Sequence, residues 1–135
     1  MTMEPSKEYI KKCLALANDM LQDAQILLNG GRWRSAIDRA YYAMFHAAQA
    51  VLYARGYKPK THEGTKTMFG EHVIKVQLAE RRFGKMLTKA YDMRQASDYE
   101  VDIVFGEEDV GGVVKMAKEF VQKMEEIVGR IEGSD

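Results

Sequence analysis

Two groups of side chains in this sequence have the types and spacing needed to handle phosphate. Arg39, Tyr42 and His46 recur at three- and four-residue spacing within SAIDRAYYAMFHAAQAVLY, residues 35–53. Arg94 is followed by Asp98 and, after four intervening residues, by Tyr99 in MRQASDYEVD. A guanidinium offers a planar fork of donors that fits phosphate oxygens, and an imidazole titrates close enough to neutrality to move a proton. Seven residues of helix place Arg39 and His46 on one face about two turns apart, where they could jointly hold phosphate. His62, beside Thr61 in KTHEG, is read either as part of a helix N-cap or as a ligand residue.

The helix that must carry the first group has two faces. At about 100° per residue, Trp33, Ile37, Ala40, Tyr41, Met44, Ala48, Val51 and Leu52 form a stripe to be buried. The opposite face collects Ser35, Arg39, Tyr42, His46, Gln49 and Tyr53, where a solvated helix would show Lys and Glu. Tyr42, His46 and Tyr53 there suit helix packing or a dimer interface.

The remaining segments are helical as well, because apolar residues recur at three- and four-residue spacing and none shows sustained alternation. A first helix opens after Pro5 with Ser6 as its cap and runs to Asn29, with Tyr9, Cys13, Leu16, Met20 and Leu27 as its stripe. Residues 61–75 are expected as a short or irregular helix. A further long helix covers about 79–97 with Met86, Leu87, Ala90 and Met93 inward. DYEVDIVFGEED reads as a loop whose Val101, Ile103, Val104 and Phe105 plug the bundle. The last helix starts near 107–109, with Val110, Val113, Val114, Ala117, Val121, Met124 and Val128 inward, and Gly111 and Gly112 suggesting close packing or fraying. Short connections between long helices dictate antiparallel neighbours. The expected fold is therefore all-α, an up-and-down bundle of four long helices plus a short one, in a single domain over residues 1–135.

Composition narrows the function. The chain has 135 residues, 46% of them hydrophobic, with formal net charge zero and one cysteine, Cys13, on an apolar spacing that marks it as buried. Residues 55–94 hold ten Lys/Arg against four Asp/Glu, and residues 95–135 hold four against eleven. Arg81, Lys85 and Lys89 share a helix face that could meet phosphate, or form a solvated face partly neutralised by the acidic last helix. No segment approaches the roughly 20 apolar residues needed to span a bilayer and no signal-like block opens the chain, so a cytoplasmic protein is expected.

Phosphate-binding GxxxxGK[ST] and GxGxxG loops, HExxH and paired CxxC are all missing. His62 and His72 lack the cysteine or carboxylate company of a zinc site, so no metal and no cofactor is expected. Nothing in the spacing assembles Ser97, His46 and Asp98 into a nucleophilic triad.

A helix with RAYYAMFHAA, then KTHEG, then a later helix ending in RQASDY resembles the small single-domain prokaryotic branch of the HEPN-domain proteins, over nearly the whole chain. The resemblance implies a helical bundle that forms a homodimer, often paired with a minimal nucleotidyltransferase as toxin and antitoxin. Many such proteins are metal-independent ribonucleases whose motif is an arginine followed a few residues later by a histidine, one copy from each protomer meeting at the dimer interface. There the arginine stabilises phosphorane charge and the histidine moves a proton to or from the ribose 2′-hydroxyl or the leaving oxygen. In this chain Arg94 matches the arginine, but Tyr99 stands at the histidine's place, and a phenol of pKa about 10 is a poor base at neutral pH.

Three readings follow. The first is a dimeric module that recognises nucleotide or RNA phosphate, with Arg39, Tyr42, His46 and His62 as ligand or interface residues. The second is a metal-independent endoribonuclease using Arg94 with Tyr99 or Asp98, or Arg39 with His46. The third is a structural or antitoxin dimer without ligand, in which Arg94 simply pairs with Asp98.

Overall fold

The computed structural model describes residues 6–133. Its helices are α1 (Lys7–Asn29), α2 (Trp33–Ala54), α3 (His62–Phe69), α4 (Arg81–Tyr99) and α5 (Glu107–Gly133), and a π-helical turn, Gly70–Ile74, continues α3. No strand occurs among the described residues. This is the all-α bundle of four long helices and a short one that the periodicity predicts.

Local chemistry sets the helix ends. Ser6 caps α1 by accepting from the Tyr9 amide at 3.0 Å; Pro5, expected just before it, lies outside the described residues. At the other end Gly31 takes φ +71°, which spares it the Cβ clash of other residues, and the Arg32 amide reaches back to the Leu27 carbonyl at 2.8 Å. That tight reversal turns the chain directly into α2.

α2 is the central helix and packs against each of the others. Its contact surface is rich in small residues: Ala36, Ala40, Ala43, Ala47, Ala48 and Ala50 are fully buried. This explains a one-residue shift from the expected stripe of α1. The buried residues there are Ile10, Cys13, Ala17, Leu21 and Ala24, whereas Tyr9 and Leu16 are exposed. Alanines at 17 and 24 let the two backbones approach closely, and the bulkier side chains are displaced to the flanks.

α5 buries every expected stripe residue and adds Phe120 and Ile127. Phe120 meets Phe69 at 5.5 Å and Phe83 at 6.3 Å between ring centroids, joining α3, α4 and α5 in one core. A Cβ at Gly111 or Gly112 would meet nothing within 4 Å, so these glycines do not mark close packing. The inner residues of α4 are Phe83, Leu87, Ala90 and Ser97, while Met86 and Met93 are only half-buried.

The expected plug after α4 is only partly formed. Ile103 and Phe105 are half-buried, but Val101 and Val104 are 85% and 92% exposed. Arg34 accounts for the path of this segment. Its guanidinium donates to the carbonyls of Ser97, of Glu100 at 3.2 Å and of Ile103 at 2.7 Å, satisfying the carbonyls at the end of α4 and holding the chain close to α2. The alternating valines are then left facing outward.

Candidate functional site

Where α2 faces α4, an arginine sits among aromatic rings. The Arg94 guanidinium carbon lies 5.6 Å from the centre of the Tyr41 ring and 5.2 Å from that of Tyr42, within cation–π range. Its Nε is 3.4 Å from Asp38 of α2 and 3.3 Å from Asp98 one turn along α4. The side chain is 19% exposed, so it is partly desolvated yet reachable. Burial works to lower its pKa, but Tyr42, Asp98 and Asp38 more than offset that and hold it above the ordinary arginine value. The charge on Arg94 is therefore permanent.

A histidine enters this cluster from α3, and the KTHEG residues explain how. Thr61 caps α3 by accepting from the Gly64 amide at 2.8 Å, and a Cβ at position 64 would come within 2.9 Å of that same Thr61 Oγ1. Glycine is the residue that leaves the cap undisturbed. The cap sets the first turn of α3, and with it the His62 ring, stacked on Phe45 at 4.3 Å with Nδ1 2.8 Å from the Tyr41 hydroxyl. His62 and Arg94 thus share Tyr41 and Tyr42 as neighbours. Thr61→Ala should remove about 1 kcal/mol of stability and loosen His62, seen as a lower denaturation midpoint and a broadened His62 NMR resonance.

His46 stands at the edge of the group, 6.2 Å from Tyr42 and 5.4 Å from Phe45. Burial pushes its pKa down, against a raising hydrogen bond from Gln49, while His62 lowers it further. His62 is also lowered, first by burial and then by Arg94. Burial pushes the Tyr41 phenol far up, so it stays protonated. Both imidazoles are neutral at pH 7. Because the unfolded chain takes up protons at a higher pH than the folded one, stability from these groups is complete above pH about 6.5 and declines as pH falls below it. His62→Gln should reduce the part of the thermal-midpoint loss that develops just below pH 6.5.

The remaining candidates separate from this cluster. Arg39 turns to α1, with Nη1 3.7 Å from Asp23 and 3.3 Å from the Met20 sulfur, so it is not joined to His46 as the helical spacing suggested. Tyr99 ends α4 and is 76% exposed. Five residues of helix turn it about 140° from Arg94, so the two do not form a local pair. Asp98 lies on Arg94, as the simple ion-pair reading requires, but Asp38 and the two tyrosines make the contact larger than an i, i+4 pair.

Sequence reasoning assigned Tyr41 to the core and did not single out Asp38, Phe45 or Tyr91 for this cluster. Tyr91 lies 5.8 Å from Tyr41 and under the Lys66 ammonium at 4.6 Å. The packed interior between Tyr41, Phe45, His62 and Tyr91 has no room for a water molecule. On the outer side, Leu27, Arg34, Ser35, Asp38, Arg39 and Asp98 surround a depression of about 510 Å³ with Ser97, reaching the two carboxylates that contact Arg94 but not lined by Arg94 itself. Among the described residues no group of three or more His, Cys, Asp or Glu is placed to hold a metal ion, and no helix is long and apolar enough to cross a membrane.

A second concavity, about 750 Å³, lies on the other side of α4 against α3, the π-helical turn and the 103–105 segment. Its walls include Phe69, Ile74, Leu87 and Ile103, and its rim carries Lys66, Arg81, Lys85 and Lys89. The last three make no ion pair among the described residues. The neutralising contact expected between this helix and α5 is made instead by Arg82, which reaches Glu119 at 2.5 Å.

Comparison with known proteins adds the following. The HEPN domain model matches residues 10–127. "Putative toxin MJ0605" of Methanocaldococcus jannaschii is 33% identical over 93% of this chain and 92% of its own length. A UPF0332 protein of Thermotoga maritima is 29% identical over 93% of this chain and 96% of its own, and a UPF0332 protein of Archaeoglobus fulgidus is 34% identical over 84% and 90%.

Proposed function

The chain belongs to the HEPN family, and from that premise we propose that it is a toxin-type HEPN module whose Arg94 cluster holds a phosphate of RNA or of a nucleotide. The observation that carries this reading is the placement of Arg94: a permanently charged guanidinium, partly exposed, backed by the faces of Tyr41 and Tyr42 and beside a neutral histidine. The name carried by the archaeal relative supports the toxin role. Homodimer formation and pairing with a minimal nucleotidyltransferase rest on the family resemblance alone.

In this reading a phosphate displaces Asp98, the carboxylate from Arg94's own helix, while Asp38 and the rings keep the guanidinium in place. Asp98→Asn removes the competing carboxylate. It should tighten binding of a single-stranded RNA oligonucleotide by several-fold, measured by fluorescence anisotropy. Weaker binding would mean that Asp98 positions Arg94 for its ligand; unchanged binding would place the phosphate elsewhere.

One observation favours a second reading, metal-independent endoribonuclease activity. His62, rather than Tyr99, is the proton-transfer group near Arg94, since the two share Tyr41 and Tyr42. Neutral His62 would accept the 2′-hydroxyl proton as the 2′-oxygen attacks phosphorus. Arg94 would stabilise the phosphorane, and the 5′-oxygen would leave with a proton taken from solvent, to which protonated His62 later returns its own, giving a 2′,3′-cyclic phosphate. RNA incubated in EDTA should then yield cyclic-phosphate ends with wild type and none with Arg94→Ala or His62→Ala. Cleavage surviving both substitutions would exclude this assignment.

A further inference from the structure

We propose that the concavity between α3, the π-helical turn and the outer side of α4 binds a small amphipathic anion, a medium-chain carboxylate lying lengthwise along α4. Its volume of about 750 Å³ and its apolar walls with a few convergent charges are those of a small-molecule site. Phe69 and Leu87 form a buried floor, and the half-buried Ile74, Met93, Ile103 and Phe105 rise around it. Both ends are walled by this chain. Phe105 packs with Met93 beside the last turns of α4. At the other end Ile74 lies so near α4 that a Cβ at Gly84 would come 3.2 Å from its Cγ1, and glycine there permits the approach.

Charge and hydrocarbon are segregated along this pocket, and that sets the ligand's chemistry and orientation. Lys66 on the rim is already engaged, over the Tyr91 ring and beside Glu63. Arg81, Lys85 and Lys89 are exposed and make no ion pair among the described residues. They follow one another along the first half of α4, about 6 Å apart in rise, so neighbouring members can share one carboxylate. Beyond Lys89 the lining turns apolar, with Met93, Ala96, Ile103 and Phe105, and Asp92 is the one acidic residue in it. A head group between Lys85 and Lys89 leaves about 10 Å of helix as far as Ala96, the reach of an octanoyl to dodecanoyl chain. A cationic amphiphile would meet the lysines unfavourably, and a bare anion would leave the apolar half uncovered. Arg94 faces α2 from the other side of α4, so this site is separate from the phosphate site proposed above.

Titration of the full chain with decanoate below its micelle concentration, followed by calorimetry, tests the assignment. Decyltrimethylammonium and inorganic phosphate serve as probes with the chain alone and the charge alone. Decanoate should bind saturably, one per chain, and both other probes should bind at least roughly tenfold more weakly. Lys85→Ala with Lys89→Ala should weaken decanoate by a similar factor, and Ala96→Trp, which fills the apolar end, should abolish binding. Positions 85 and 89 are exposed, so the lysine variant should keep its fold, checked by circular dichroism, and it decides the matter even if Ala96→Trp does not fold. Absence of saturable decanoate binding, equal binding of either other probe, or decanoate affinity unchanged in the lysine variant would overturn the proposal. So would a loss of RNA affinity in the lysine variant as large as that in Arg94→Ala, which would make the pocket part of a nucleic-acid surface.

Discussion

Arg94→Ala should lower the affinity for single-stranded RNA at least tenfold and also cost stability. The guanidinium joins α4 to α2 through Asp38, extends to Asp98, and lies over two tyrosine rings. Charge-assisted hydrogen bonds of this kind contribute about 1.5–3 kcal/mol and a partly exposed cation–π contact about 0.5–1 kcal/mol. A loss of about 2–3 kcal/mol is expected, because both carboxylates retain access to water. Arg94→Lys separates the two effects. It keeps the charge but loses the planar fork, so it should recover much of the stability and little of the RNA affinity. Paired measurements of chemical denaturation and RNA anisotropy on the two variants would show this split; equal recovery of both properties would reduce Arg94 to a structural ion pair.

Phe120→Ala should be the most destabilising single change in the interior, at about 3–5 kcal/mol. Phe120 is fully buried between Phe69 and Phe83, so truncation opens a cavity where three helices meet. Conservative replacement by Leu keeps most of the volume and should cost much less. Thermal unfolding followed at 222 nm would check the order. Because α3 is fixed to the core through Phe69, the same variant should also broaden the His62 resonance even though position 120 is remote from Arg94.

The fold was legible because its signals are local and repeated. Ser6, Gly31 and Thr61 mark helix ends, and every expected stripe residue of α5 is buried. The misplaced stripe of α1 shows the limit of that reasoning. Tyr9 and Leu16 offer more apolar area than Ala17 and Ala24, yet close approach to the alanine surface of α2 selects the small side chains. In the loop after α4 only Val101 and Val104 depart from the expected plug, for a related reason: valines look like core residues, and the Arg34 contacts made from sixty and more residues away leave these two outward.

The candidate site was less legible because it is assembled across elements. Arg94, Tyr42, His46 and His62 were visible as polar and aromatic residues on helix faces, but no spacing along one helix joins Arg94 to His62. Their proximity depends on the Thr61 cap, the Phe45 stack and the packing of α4 on α2. Conversely, pairs that spacing did suggest come apart. Arg39 and His46 share a face, yet Asp23 on α1 draws the longer arginine side chain away. Arg94 and Tyr99 are neighbours in sequence and face different sides of one helix.

The most direct test of the phosphate reading is the side-chain Nε–H resonance of Arg94, followed by ¹⁵N-edited NMR while a short single-stranded RNA is titrated into the protein. This nitrogen lies between Asp38 and Asp98 in the free protein, so replacement of a carboxylate by phosphate must change its surroundings. The account predicts a saturable shift of that resonance, accompanied by shifts of the His62 ring signals. RNA binding that saturates with the Arg94 and His62 resonances unmoved would contradict it.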